Sequence, residues 1–333
     1  MKKKCFTLVE LLVVIAVIAL LMGLLMPALA RVRQIAHRMI CGSNLASIGK
    51  GCLIYAQDHD EEFPRGGLSF PTEWGPTGAI ADCFQKNREQ AYGKRGTATV
   101  TSALYHLVKY TETTPKSFNC RGDEGTKEFA LDEVEPGTLP SHIKDITDAW
   151  DFGDEVQYTR PICCGMYNSY SYHLPYDDPD GYQGWPVTAI SSPESPLAAD
   201  RNPFLDKNAN SRLTDPKLAE FDAEWASVSG REYYSDTKKK ENSAAHQWDG
   251  QNVLFQDGHV SFERYPNCGI RKDNIWKFWA DRVRSQNEED WQVGKRDYEP
   301  KKNGDYGPKA EEDAYLVSEV NVSKESADKW GRQ

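Results

Sequence analysis

From Leu11 to Met26 the chain runs sixteen residues without a charge or a hydrogen-bonding side chain. Widened to Phe6–Ala30 the stretch is 25 residues long and carries one charge, Glu10. As a helix rising about 1.5 Å per residue it spans about 37 Å, enough for a hydrocarbon core of about 30 Å. Few folds can hide such a segment in water, and a single crossing of a membrane accommodates all of it. Lys2, Lys3 and Lys4 precede the run and favour a cytoplasmic N-terminus. Arg31, Arg33 and Arg38 on the far side pull the other way. Long downstream domains translocate largely regardless of such charges, so the expected topology is N-in, C-out.

Glu10 narrows the reading. A carboxylate within an apolar span costs about 2.5–3.5 kcal/mol at the bilayer centre and less near an edge. A plain anchor has no use for one. A cleavable secretory signal is the competing reading, since Ala28-Leu29-Ala30 has the small-residue form of a cleavage site. The apolar stretch is longer than such a signal needs, and Glu10 interrupts it.

Lys2-Lys3-Lys4 followed by Phe6-Thr7-Leu8-Val9-Glu10-Leu11-Leu12-Val13-Val14-Ile15-Ala16 resembles the leader and first helix of type IV prepilins and type II secretion pseudopilins. The resemblance implies cleavage between Cys5 and Phe6 by a prepilin peptidase and N-methylation of Phe6. It implies that Glu10 neutralises the N-terminal amine of a neighbouring subunit during assembly, a pairing that makes two charges tolerable in a low dielectric. Pro27 stands where pilins carry a helix-kinking proline. Cys5 replaces the family's usual Gly before the cut, and is also small. The location implied is the bacterial inner membrane, single-pass, with the C-terminal domain periplasmic or extracellular.

Beyond Pro27 the helical pattern continues. Val32, Ile35, Ala36, Met39, Ile40, Leu45, Ile48, Cys52, Tyr55 and Ala56 recur at three- to four-residue steps. Gly42, Gly49 and Gly51 weaken such a helix by about 1 kcal/mol each; they fit either a break near 42 or close packing on a sheet. The run ends in Asp58-His59-Asp60-Glu61-Glu62-Phe63-Pro64. The expected division is a leader (1–5), a membrane-spanning helix (6–30), an amphipathic stalk helix (31–58), an extracytoplasmic pilin-like α+β domain (59–290) and a charged C-terminal tail (291–333). The expected fold class is α+β: a long N-terminal helix packed on an antiparallel β-sheet, with large loop insertions.

Charge separates the two ends. Residues 1–57 hold seven Lys/Arg and one acid, and the rest of the chain holds 33 basic and 49 acidic residues. An acidic domain of that kind is a poor partner for nucleic acid, which needs clustered cations. Within the domain, residues 99–110 pattern as a short helix and 167–173 alternate as a strand. Another strand ends in Leu197-Ala198-Ala199-Asp200. Asn252-Val253-Leu254-Phe255 and His259-Val260-Ser261-Phe262 flank the turn dipeptide Asp257-Gly258, a β-hairpin signal. A helix is expected over 275–283.

A second, discontinuous resemblance lies over about 41–265. Cys41-Gly42-Ser43-Asn44-Leu45, Tyr55-Ala56-Gln57-Asp58 with Phe63-Pro64, Pro193–Asp200, and His246 with Asp257-Gly258-His259-Val260 look like an exported, prepilin-associated domain with a His-x9-Asp-Gly motif. Here ten residues, not nine, separate His246 from Asp257, and Cys120-Arg121 stands where the family usually has Cys-Pro.

Candidate chemistry is sparse. His246, Asp249, Asp257 and His259 are weak metal candidates if the hairpin gathers them; the plain alternative is that Asp257-Gly258 makes the turn and His246 caps a backbone group. Asp206-Lys207-Asn208-Ala209-Asn210-Ser211 is similar to the start of a calcium loop but lacks the Gly at its sixth place and has Lys217 at its twelfth. No Cys-x2-Cys pair occurs among the eight cysteines. Cys41 with Cys120 is the preferred disulfide pair. Neither Gly-x-Ser-x-Gly nor another nucleophile context is present, and Cys163-Cys164 is a poor candidate for one. His106 and His173 read as structural.

The function expected is therefore a pilin-like or pseudopilin-like subunit of a type II secretion or type IV pilus-like assembly. Its partners are the membrane, a prepilin peptidase and other subunits. No cofactor is expected, with calcium the one weak possibility, and no enzymatic activity. The alternatives are a monomeric membrane-anchored binding protein and an anchored metal-dependent hydrolase.

Overall fold

The computed structural model describes residues 8–66, 84–92, 100–123, 126–133, 139–152, 167–173, 187–203, 242–276, 313–314 and 316–317. Helix α1 runs unbroken from Leu8 to Asp58, about 76 Å at 1.5 Å per residue. Pro27 lies inside it and removes the backbone hydrogen bond to the carbonyl of Gly23. The helix stops where Asp60 and Glu61 take φ of 51° and 63°, and Glu61 N–H donates to the carbonyl of Ala56 at 2.9 Å. That bond satisfies one of the orphan carbonyls of the last turn.

The buried residues of α1 are Cys41, Leu45, Ile48, Gly49, Gly51, Cys52, Tyr55 and Ala56, all in its last five turns. No break occurs near Gly42. The glycines serve close packing instead. A Cβ on Gly49 would stand 2.6 Å from Cδ1 of Leu254, and one on Gly51 would stand 2.7 Å from Oγ1 of Thr113.

Beneath α1 lies a sheet in the order β4-β3-β2-β1-β5, with every neighbouring pair antiparallel. Its strands are β1 (Tyr170–His173), β2 (Pro196–Asp200), β3 (Gln251–Phe255), β4 (Val260–Glu263) and β5 (Leu316–Val317). This is the α+β arrangement expected from the sequence. The hairpin pairs Leu254 with Val260 and Gln251 with Glu263. A register shift between Pro196 and Ala198 sends both Leu197 and Ala198 into the core on the helix side.

Alternation along the strands makes two cores. On the helix side, Ala198 and Leu254 join Leu45, Ile48, Tyr170 and Tyr172. After the short helix α2 (Arg88–Tyr92), helix α3 (Val100–Tyr110) belongs to this core, buried from Val100 to Val108. Tyr105 sets its ring edge-on to Phe152 at 4.9 Å and donates its hydroxyl to the carbonyl of Ile146 at 2.6 Å. His106, on α3, has its pKa lowered to about 3, first by burial and then by Arg88 and Lys109, so it is neutral. Behind the sheet, Ala199, Val253 and Phe255 pack with Ile275, Trp276, Ala314 and Leu316.

Two sequence expectations change. Ile275 does not enter a helix, because its backbone is committed sideways: its N–H donates to Pro266 and its carbonyl accepts from Leu316. The rest of 277–283 lies outside the described residues. The stretch 291–333 is not wholly a loose tail, since Leu316 and Val317 pair with His173 and Tyr172 as an edge strand. Asp313 is buried beside it, and Ala314 N–H donates to Asp273 Oδ2 at 2.8 Å.

Candidate functional site

Two features carry functional information: the exposed half of α1 and a buried cluster at the point where α1 meets the domain.

The exposed half carries an apolar run from Leu11 to Met26. Leu8 is 77% exposed, Leu20 66% and Leu24 69%. It is the one helix among the described residues that is long and apolar enough to cross a membrane, and none of its apolar window is buried inside the protein. Leaving a Leu or Val side chain in water rather than in an apolar phase costs about 1.5–3 kcal/mol, so this surface is built for lipid or for other apolar helices. Glu10 sits in its first turn. Cys5 and Phe6 lie outside the described residues.

Where α1 meets the domain, polar contacts fix its register. Arg38 pairs with Asp249 and lies 4.5 Å over the ring of Phe262. Gln34 Nε2 donates to Gln247 Oε1 at 2.5 Å. One turn further, Cys41 is joined to Cys120 by a disulfide closing 79 residues, with Cα atoms 5.3 Å apart. Asn44 Nδ2 donates to the carbonyl of Asn119 and to Tyr170 Oη, at 2.9 and 3.1 Å.

Against this disulfide lies a buried acid–imidazole pair. Asp200, at the end of β2, brings Oδ2 to 3.0 Å from His246 Nε2. Asn252 N–H donates to the same oxygen at 2.6 Å, and Asn252 Nδ2 lies 3.1 Å from it. His246 Nε2 is 4.0 Å from Cys120 Sγ. Asp200 is fully buried and His246 nearly so. The charge of Asp200 also acts on Tyr170, whose pKa lies well above the usual phenol range, first through burial and then through that carboxylate.

Local backbone holds the pair in place. The turn after His246 uses two successive left-handed residues, Gln247 at φ 58° and Trp248 at φ 65°. A bulky residue there is unusual and is held by its surroundings. Opposite, Gly122 lets the loop after Cys120 lie on this turn: a Cβ there would meet the carbonyl oxygen of Ala245 at 2.2 Å.

The weak metal candidates at the hairpin are not brought together. His246 Nε2 lies 3.2 Å from Asn252 Nδ2 near the start of β3, and Asp257 follows the strand's other end; the three steps from Asn252 to Phe255 put about 10 Å of strand between them. His259 and Asp257 instead bond each other, Nδ1 to Oδ1 at 2.5 Å, on the exposed turn. The Asp257 pKa is lowered chiefly by the N–H of His259. Asp249 is taken by Arg38. The calcium-like segment 206–211 and Cys163-Cys164 lie outside the described residues. His173, on β1, is buried. Asp200 was missed as a site residue; it ends an apolar strand, and no spacing in the chain links it to His246.

Residues 1–26 match the family model of the prokaryotic N-terminal methylation motif. The segment thus carries the processing signal of type IV pilin-like proteins, which a prepilin peptidase cleaves and methylates. The match covers the leader and the first turns of α1 and does not extend to the domain. No curated protein and no solved structure matches the chain.

Proposed function

We propose that this protein is a pilin-like subunit, anchored by α1 in the bacterial inner membrane with its acidic domain outside the cytoplasm. The observation that carries the reading is Glu10, a single carboxylate inside an apolar helix that matches the N-terminal methylation motif. A lone anchor gains nothing from it, whereas helices packed side by side can pair it with the methylated amine of Phe6 on a neighbour. The exposed half of α1 supplies the packing surface, and the domain decorates a fibre driven by a type II secretion or type IV pilus-like machine. The role is structural rather than catalytic.

Glu10→Ala tests this. Membrane insertion stays intact, while incorporation into sheared fibres is lost. Unchanged incorporation would sink the assembly reading and leave a monomeric anchored protein. Mass spectrometry of the mature N-terminus checks processing, with N-methyl-Phe6 expected and an intact Met1 against it.

A further inference from the structure

We propose that Cys41, Cys120, Asp200 and His246 form a metal site for a zinc-class divalent cation when the cysteines are reduced, the disulfide being the oxidised state of the same centre. The two sulfurs, the His246 nitrogen and an Asp200 oxygen all lie within 4.8 Å of one another, and all four residues are buried. A tetrahedral zinc with bonds of about 2.0–2.3 Å holds its ligand atoms roughly 3.3–3.8 Å apart, so the non-sulfur donors need move by no more than about 1 Å. Cα atoms 5.3 Å apart hold two sulfurs either bonded to each other or on one ion.

A second observation points to a ligand. Asp200 Oδ1 is buried and accepts no hydrogen bond among the described residues. Satisfying the backbone of Asn252 needs only Oδ2, and an asparagine would do that without a charge. A bare buried carboxylate oxygen is costly, and a cation is the partner it lacks. Two thiolates with an imidazole select a soft or borderline ion and exclude calcium and magnesium. The hard-ligand sequence 206–211 is a separate matter.

The exchange balances. A dithiol gives two electrons and two protons to the S–S bond, leaving two thiols and closing to its own disulfide. The cation then displaces both thiol protons and binds the thiolates. The centre is cross-linked in either state, covalently or through the ion. None of this depends on α1 assembling, so the fibre assay and a metal titration can fail separately.

Cobalt titration of the whole chain in detergent, after reduction with a trialkylphosphine, tests the proposal; the phosphine becomes its oxide with oxygen from water and does not compete as a thiol would. One equivalent of cobalt is expected, with a thiolate-to-cobalt charge-transfer band and the visible bands of a tetrahedral ion. The unreduced chain gives neither. Asp200→Asn raises the dissociation constant at least about tenfold, the lower end of what losing even an outer partner of a ligand costs. Cys41→Ser with Cys120→Ser removes the charge-transfer band, although six other cysteines remain. His246→Cys keeps a tetrahedral spectrum with a stronger band, and so guards against variants that merely misfold. If the reduced chain loses its circular dichroism and cobalt restores it, the proposal is also supported. Reduced protein without a tetrahedral spectrum, or a band that survives the double serine variant, overturns it.

Discussion

Helix α1 is one continuous element in two solvents. Up to Ile40 its large apolar side chains, Leu, Val, Ile and Met, are exposed. From Cys41 onward the contact face is made of small residues set among a few large ones, with Gly49 and Gly51 against Leu254 and Thr113. The difference shows that hydrophobicity alone does not make a packing face. The upper half is more apolar but none of its apolar window is buried against the described residues. The lower half gives up helix propensity at its glycines, by about 1 kcal/mol each, and gains a close fit to the sheet.

The largest blow to this division comes from separating the lower half from the domain. Cys41→Ser with Cys120→Ser lowers the unfolding free energy of the domain by about 2–5 kcal/mol, the usual range for a native disulfide, read as the urea midpoint in detergent. A smaller effect follows from filling the contact face. Gly49→Leu gains about 1 kcal/mol of helix propensity but overpacks against Leu254 by about 1–3 kcal/mol, and the second wins because Leu254 is itself fully buried. A raised urea midpoint would show that the glycine is not there for packing. The smallest effect belongs to the upper half. Leu21→Ala shifts the domain's urea midpoint by less than the equivalent of about 0.5 kcal/mol; a larger shift would move the boundary between the halves.

What the sequence revealed follows the same line. The span was legible because sixteen apolar residues admit few environments, and the β3–β4 hairpin because its alternation brackets a turn dipeptide. The helix over 100–110 was legible from its length and pattern. The buried centre was not, since Cys41, Cys120, Asp200 and His246 come from four separate segments and only the folded sheet brings them together. The weak metal candidates His246, Asp249, Asp257 and His259 are not gathered at one point, because the length of β3 lies between His246 and the turn that holds Asp257 and His259. Leu316 and Val317 were hidden by the charged residues around them, and Ile275 by a periodicity that a turn between two strands can also show.

The disulfide has a mechanical consequence. It fastens α1 to the domain at Cys41, where the helix enters the core. Tension applied along the upper helix therefore meets the polar contacts of Gln34 and Arg38 and then a covalent bond before it reaches the packed face below. The seventeen residues from Gly42 to Asp58 are shielded from that load, so the helix cannot be peeled off the sheet from the membrane end.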